Sequence, residues 1–264
     1  MAMTEGQILL TGRGIQQVFG KGRGRQIAVD EVNIEVHSGQ CLALIGGSGS
    51  GKSTLMRILL GLDKPTSGVV TFDGELVEGR RSAGYQALRR DSSLVFQNPF
   101  TSLDPRWTVF RSMAEPLNIR LGRHSRKNSL DIDRKTRESL SLVGLDPAEF
   151  LERYPADLSG GQAQRVAVAR ALMTDPKLIV ADEPMSAVDV VARLQILEAL
   201  AAIRQARPET SVIVISHDLG VVQRIADRIV VLHEGKVVES GSANDVLNRP
   251  KAVYTRELIA AASL

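Results

Sequence analysis

Gly46-Gly47-Ser48-Gly49-Ser50-Gly51-Lys52-Ser53, followed by Thr54, is the stretch on which this sequence turns. It fits Gly-x-x-x-x-Gly-Lys-Ser/Thr at every position, between an apolar strand-like run and a helix starting near Lys52. Glycines let the backbone curl so that its N–H groups point inward at phosphate oxygens. The positive end of the following helix adds to that attraction. Lys52 then reaches the β and γ phosphates, and Ser53 is placed to ligate Mg²⁺. The fold this predicts is α/β, with a parallel sheet whose strand ends carry the site.

Three more apolar runs read as buried strands beside Leu42 to Ile45: Leu94 to Phe96, Leu178 to Ala181 and Val212 to Ile215. Each ends on a useful polar residue, in turn Gln97, Asp182 and Ser216-His217. Asp182 at such a position holds Mg²⁺ through water, and Glu183 next to it polarises a water that attacks the γ-phosphate. Taken alone, the two carboxylates equally well cap the turn that contains Pro184; the phosphate loop favours the chemical reading. Leu158-Ser159-Gly160-Gly161-Gln162 opens a helix over Ala163 to Leu172. It reads as a second anion-binding helix start, or as a glycine-loosened N-cap. One lysine-bearing loop and two such helix starts are reconciled when the second loop contacts a γ-phosphate held by another chain.

Composition narrows the class. In 264 residues, 33 Lys and Arg against 30 Asp and Glu leave a net charge of +3, and aromatics are 4%. No basic stripe interleaved with aromatics stands out, which weighs against nucleic acid as the main ligand. An apolar share of 43% supports a substantial core in one domain, or one domain with a subdomain. The single cysteine, Cys41, excludes an intrachain disulfide and a Cys-rich metal cluster, and reads as a buried strand residue. No stretch approaches the ~20 apolar residues that span a bilayer, and the first residues carry no signal-peptide pattern. The expectation is a soluble, cytoplasmic chain that reaches a membrane only through partners.

Residues 8–45 read as short strands, and Asp73-Gly74 after Val69-Val70-Thr71-Phe72 is a hairpin signal. An antiparallel layer near the N-terminus follows from these. Residues 98–156 carry helical patterns instead, over Thr108 to Leu121 and Arg134 to Val143, with Asp146-Pro147 as a capped helix start. The reading is a helical subdomain, 98–156, inserted into a core of 1–97 and 157–264. The basic runs Lys21 to Arg25 and Arg123 to Lys127 read as solvated loops, with an acidic partner surface as the lesser alternative.

On these motifs the chain resembles the ATP-binding subunits of ABC transporters over nearly its whole length. The resemblance implies a P-loop NTPase with a RecA-like core. It implies Gly46 to Thr54 as Walker A, Leu158 to Gln162 as the signature and Leu178 to Asp182 as Walker B. Gln97 becomes the Q-loop glutamine, a ligand near Mg²⁺. Ser186-Ala187-Val188-Asp189 is the D-loop, His217 the switch histidine, and Phe19 the aromatic that stacks on adenine, unless it is a core residue. Phe96 to Arg106, Ala114-Glu115-Pro116-Leu117 and Pro65-Thr66-Ser67-Gly68 are similar to the oligopeptide, dipeptide and nickel importer branch. Asp182 to Ala187 and Ser53-Thr54-Leu55 are closer to the second, F-type ATPase of its pair. Val188 and Met185 depart from common residues by apolar exchanges. Only eight residues follow Val253-Tyr254-Thr255-Arg256, where longer relatives carry a cysteine-bearing tail.

What the resemblance implies is an ATPase that energises an importer of peptides, nickel, metal chelates or opine-like solutes, at the cytoplasmic face of the membrane. Its partners are a second ATP-binding subunit in a head-to-tail heterodimer, two permeases and, indirectly, an extracellular binding protein. Ser159, Gly160, Gly161, Gln162 and Asp189 then meet nucleotide held by the other chain. Glu183 is the base, His217 orients the γ-phosphate and water, and Gln97 links Mg²⁺ to the helical subdomain. The rival is a soluble ABC-type ATPase of DNA repair or translation. It lacks support because the spacing holds no coiled coil or zinc insertion, and one cassette rather than two. An exporter and an ordinary phosphate-loop kinase fit less well, the latter being excluded by the second glycine loop.

Overall fold

The computed structural model describes residues 6–20, 22–121, 126–186 and 188–262. Strands β1 (Ile8–Phe19), β2 (Gln26–His37) and β3 (Cys41–Ile45) lead to helix α1 (Lys52–Leu59). The hairpin β4 (Ser67–Phe72) and β5 (Glu75–Leu76) precedes α2 (Ala83–Asp91) and β6 (Ser92–Val95). Helices α3 (Val109–Leu121), α4 (Arg126–Leu142), α5 (Pro147–Phe150) and α6 (Gly160–Ala171) follow, then β7 (Leu178–Asp182) and α7 (Val190–Ala206). The chain closes with β8 (Ser211–Ile215), α8 (Leu219–Ile225), β9 (Arg228–His233), β10 (Lys236–Ser242), α9 (Ala243–Asn248) and α10 (Val253–Ala262). Two compact units result, one of Met1–Ser92 with Glu209–Leu264, the other Ser93–Pro208.

The first unit holds an antiparallel sheet in the order β2-β1-β4-β5 and a mixed sheet that runs β10-β9-β3-β8. In the mixed sheet β3 is parallel to β8 and to β9, while β10 returns antiparallel to β9. All five residues of β3 are buried, as are all five of β8, which is why both read as unbroken apolar runs. Asp73 and Gly74 take φ values of 53° and 81°, so the expected hairpin turn is there. The expected short strands before residue 45 are two strands of twelve residues each. Register shifts interrupt their pairing, and the bulges hide a long strand from a strict alternation test.

In the second unit β7 lies in the same sheet as β6, its neighbour. Helix α4 begins at Arg126, eight residues before the expected start, so Arg126 and Lys127 are helical rather than loop. Its buried stripe of Ile132, Thr136, Ser139 and Leu140 covers only the later part of the helix. The solvent side is held by pairs Asp133–Arg137 and Arg134–Glu138, which apolar periodicity does not register. Lys21, residues 122–125 and Ala187, all of which carry sequence expectations, lie outside the described residues.

Candidate nucleotide site

In the first unit the phosphate loop leaves β3 where the sheet ends. Gly46 has φ 153°, and a Cβ there would stand 2.1 Å from the Leu232 carbonyl oxygen. Gly51 has φ 101°, and its Cβ would meet the Ala28 carbonyl oxygen at 2.3 Å. Both clashes are backbone on backbone, so glycine is required for the loop to nest between β9 and β2. Lys52 begins α1, is only 7% exposed, and donates from Nζ to the Gly46 and Gly47 carbonyl oxygens at 2.8 Å each. Ser48, Gly49 and Ser53 face solvent, while Gly47 and Thr54 are half-buried and Ser50 is buried.

Register fixes two more residues relative to that loop. Leu44 pairs with Ile215, so Gly46 and His217 lie two residues beyond the same rung of the sheet. His217 is exposed, just ahead of α8, whose N-terminus is capped by Asp218 accepting from Gly220 and Val221 N–H. Phe19 is the last residue of β1, 48% exposed, opposite Gln26 on β2. Gln26 is two residues from Ala28, whose carbonyl packs on Gly51.

In the second unit Gln97, Glu183 and Ser186 come together. Gln97 Nε2 donates to Ser186 Oγ at 2.9 Å and points at Glu183 Oε2 at 3.4 Å. Glu183 follows β7 with φ 43°, a conformation side chains rarely take and one that concentrates at functional positions. The Ser186 N–H and hydroxyl both donate back to the Glu183 carbonyl oxygen, which holds this turn. Asp182 is the last residue of β7 and is half-buried. Gln164, a residue that the sequence did not single out, donates to the Phe96 carbonyl oxygen at 3.1 Å and so fixes the backbone just before Gln97.

Ser159 is the N-cap of α6, and both readings of the second glycine loop meet there. Its hydroxyl accepts from Gln162 N–H while Gln162 Oε1 accepts from Ser159 N–H, a closed capping box. Gly160 is exposed, but Gly161 is buried, and a Cβ on it would lie 2.4 Å from the Ala192 Cβ of α7. Asp189 caps α7 by accepting from Ala192 N–H at 2.8 Å. The buried Gly161 gives a stability prediction. Gly161→Ala lowers the melting temperature by several degrees, since overpacking of this kind costs about 1–3 kcal/mol. The Gly161→Ala, Ala192→Gly double variant should melt near Ala192→Gly alone; equal damage in both backgrounds would show that this contact is not the cause.

Residues 29–186 match the family model for the ABC transporter. The chain belongs to the ABC transporter family. It is 39% identical over 244 residues to an oligopeptide transport ATP-binding protein, OppF, of Lactococcus lactis subsp. lactis, spanning 92% of this chain and 74% of the relative. It is 41% identical over 243 residues to a di/tripeptide transport ATP-binding protein, DppF, of Pseudomonas aeruginosa, spanning 91% and 73%. Among solved structures, the ATP-binding cassette MJ0796, in a dimeric post-hydrolysis state bound to ADP and Pi, superposes with a TM-score of 0.77 at 30% identity. That match covers 89% of this chain and 99% of the cassette. This ABC transporter chain is therefore a nucleotide-binding ATPase coupled to transport, with the α/β P-loop NTPase fold. Among the described residues, no helix is long and apolar enough to cross a membrane.

Proposed function

We propose that this chain is the ATP-hydrolysing subunit of an importer for peptides or a related small solute, working as the F-type member of a heterodimer. The observation that carries the reading is its likeness, over nine-tenths of its length, to oligopeptide and di/tripeptide transport ATP-binding proteins. Gly46 to Thr54 cradle the phosphates and Phe19 stacks on adenine. Ser159, Gly160, Gly161, Gln162 and Asp189 meet the nucleotide of the partner chain. The capping box supports this, because it fixes the α6 N-terminus with exposed Gly160 at its tip.

Mg²⁺ takes few protein oxygens because it keeps water and phosphate ligands. Ser53 and Asp182 offer suitable oxygens. Gln97 spends its amide N–H groups on Ser186 and Glu183, so its amide oxygen is the atom that it offers a cation. A bound Mg²⁺ would supply charge neutralisation at the β and γ phosphates. Glu183 accepts the proton of the attacking water, His217 orients the γ-phosphate, and positioning with electrostatics does the rest.

Residues 98–156 form the helical subdomain that contacts two permeases at the cytoplasmic face of the membrane. After Gln97, Asn98 caps a short turn and Asp104 pairs with Arg106 at 2.8 Å. The Arg106 side chain, and then its backbone N–H, lower the Asp104 carboxyl to about 2. The carboxylate is therefore charged throughout the physiological pH range and available to Arg106. Phe100 is 45% exposed beside it, and Arg111 lies over the Trp107 ring at 4.4 Å. Phe100, Asp104, Arg106 and Trp107 line a cleft of about 580 Å³ suited to an amphipathic permease segment. A tagged chain taken from native membranes in mild detergent tests the proposal. Recovery with two permeases and a second ATPase is expected; recovery alone, or with nucleic acid or ribosomes, would overturn it.

A further inference from the structure

Opposite its solvent face, the phosphate loop is held by the C-terminal part of the chain. The Gly47 N–H donates to the Tyr254 hydroxyl of α10 at 2.8 Å, across 207 residues of sequence. The Tyr254 ring stacks on His233 of β9, with centroids 3.7 Å apart and planes at 22°. Next to His233, the Leu232 carbonyl abuts Gly46, and Gly235 N–H donates to the Ser50 carbonyl oxygen at 3.0 Å. The β9–β10 hairpin and α10 therefore bracket the loop from Gly46 to Ser50.

Helix α10 is itself anchored. Glu239 of β10 accepts from the Lys251 and Ala252 N–H groups at 2.9 and 3.0 Å, at the entrance to α10. Tyr254, Leu258 and Ile259 pack on the core cluster formed by Ala43, Ile45, Ile229, Val231 and their neighbours. The hydroxyl that meets Gly47 thus sits on a fixed mount.

We infer that Tyr254, oriented by its stack on His233, is a positioning residue for ATP binding, which sets the phosphate loop through the Gly47 N–H. It touches no phosphate. It acts by removing conformations of a loop that glycine otherwise leaves loose. The inference rests on the reading of Gly46 to Thr54 as the ATP site.

The test uses the full chain, with MgATP affinity measured by calorimetry and steady-state hydrolysis measured in parallel. Tyr254→Phe keeps the stack and removes only the hydroxyl. Without the hydroxyl the loop regains conformations that ATP must then freeze out, which weakens binding by about five- to tenfold. The expected result is that rise in Kd and KM with kcat within about twofold, beside a melting temperature a few degrees lower for the lost hydrogen bond. A stability-only role would lower the melting temperature and leave Kd and KM as in the parent. His233→Phe, which preserves a stacking ring, should bind ATP within about twofold of the parent, and His233→Ala should resemble Tyr254→Phe. Lys52→Ala separates the two levels. If it binds weakly while Tyr254→Phe binds like the parent, the role of Tyr254 is overturned and the ATP site stands. If Lys52→Ala binds normally, the site itself is elsewhere and the inference falls with it.

Discussion

Glu183→Gln hydrolyses ATP at least about a hundredfold more slowly than the parent while binding it as tightly, because an amide cannot take the proton of an attacking water. The geometry favours a clean separation of the two effects. Glu183 is held by its backbone, through the Ser186 N–H and hydroxyl on its carbonyl oxygen, and those bonds survive the substitution. The Gln97 Nε2 that points at Glu183 Oε2 at 3.4 Å finds an amide oxygen of the same shape. The left-handed backbone, φ 43°, suits glutamine no worse than glutamate. Phosphate release in a single turnover is the measurement. A rate within tenfold of the parent would take the role of base from Glu183.

Lys52→Ala weakens ATP binding by between about tenfold and a hundredfold, the range for loss of a charged hydrogen-bond donor. Two roles end together there. Lys52 is the cation of the loop, and its Nζ ties the Gly46 and Gly47 carbonyls at 2.8 Å each. Lys52→Arg separates them. A guanidinium keeps the charge but is too large and flat for a slot in which the native side chain is 7% exposed. It should therefore bind ATP weakly as well, whereas a role for charge alone predicts that it binds normally. Calorimetric titration with MgATP distinguishes the two.

Short motifs in this chain were readable because their chemistry is local. The loop from Gly46 to Ser53 needs its glycines for backbone reasons that hold wherever it occurs, and the clashes at Gly46 and Gly51 state those reasons in distances. Asp146-Pro147 was readable as a cap in the same way, and Asp146 does accept from Ala148 N–H. Apolar runs gave β3, β7 and β8 because strands buried on both faces leave no polar residue to confuse the pattern. Partnership across the chain was not readable. Nothing in the string Val253-Tyr254-Thr255 points to Gly47, and nothing in Gln164 points to the carbonyl of Phe96. The early start of α4 escaped because the sequence from Arg126 to Asp133 is mostly polar and carries no helical apolar stripe. Backbone strain at Glu183 escaped for a different reason. A positive φ at a non-glycine residue is imposed by its surroundings and leaves no mark on composition.

Cys41, the single cysteine, is 1% exposed on a strand buried over its whole length. Thiol reagents of the size of a maleimide dye have no path to it in the folded chain. The native protein is thus already a background for site-specific spectroscopic labelling. A cysteine introduced at exposed Val191 or Leu62 becomes the only position that takes a fluorophore or spin label. Reaction at Cys41 itself then reports unfolding, so one chain carries both a distance probe and an internal clock for opening of its core.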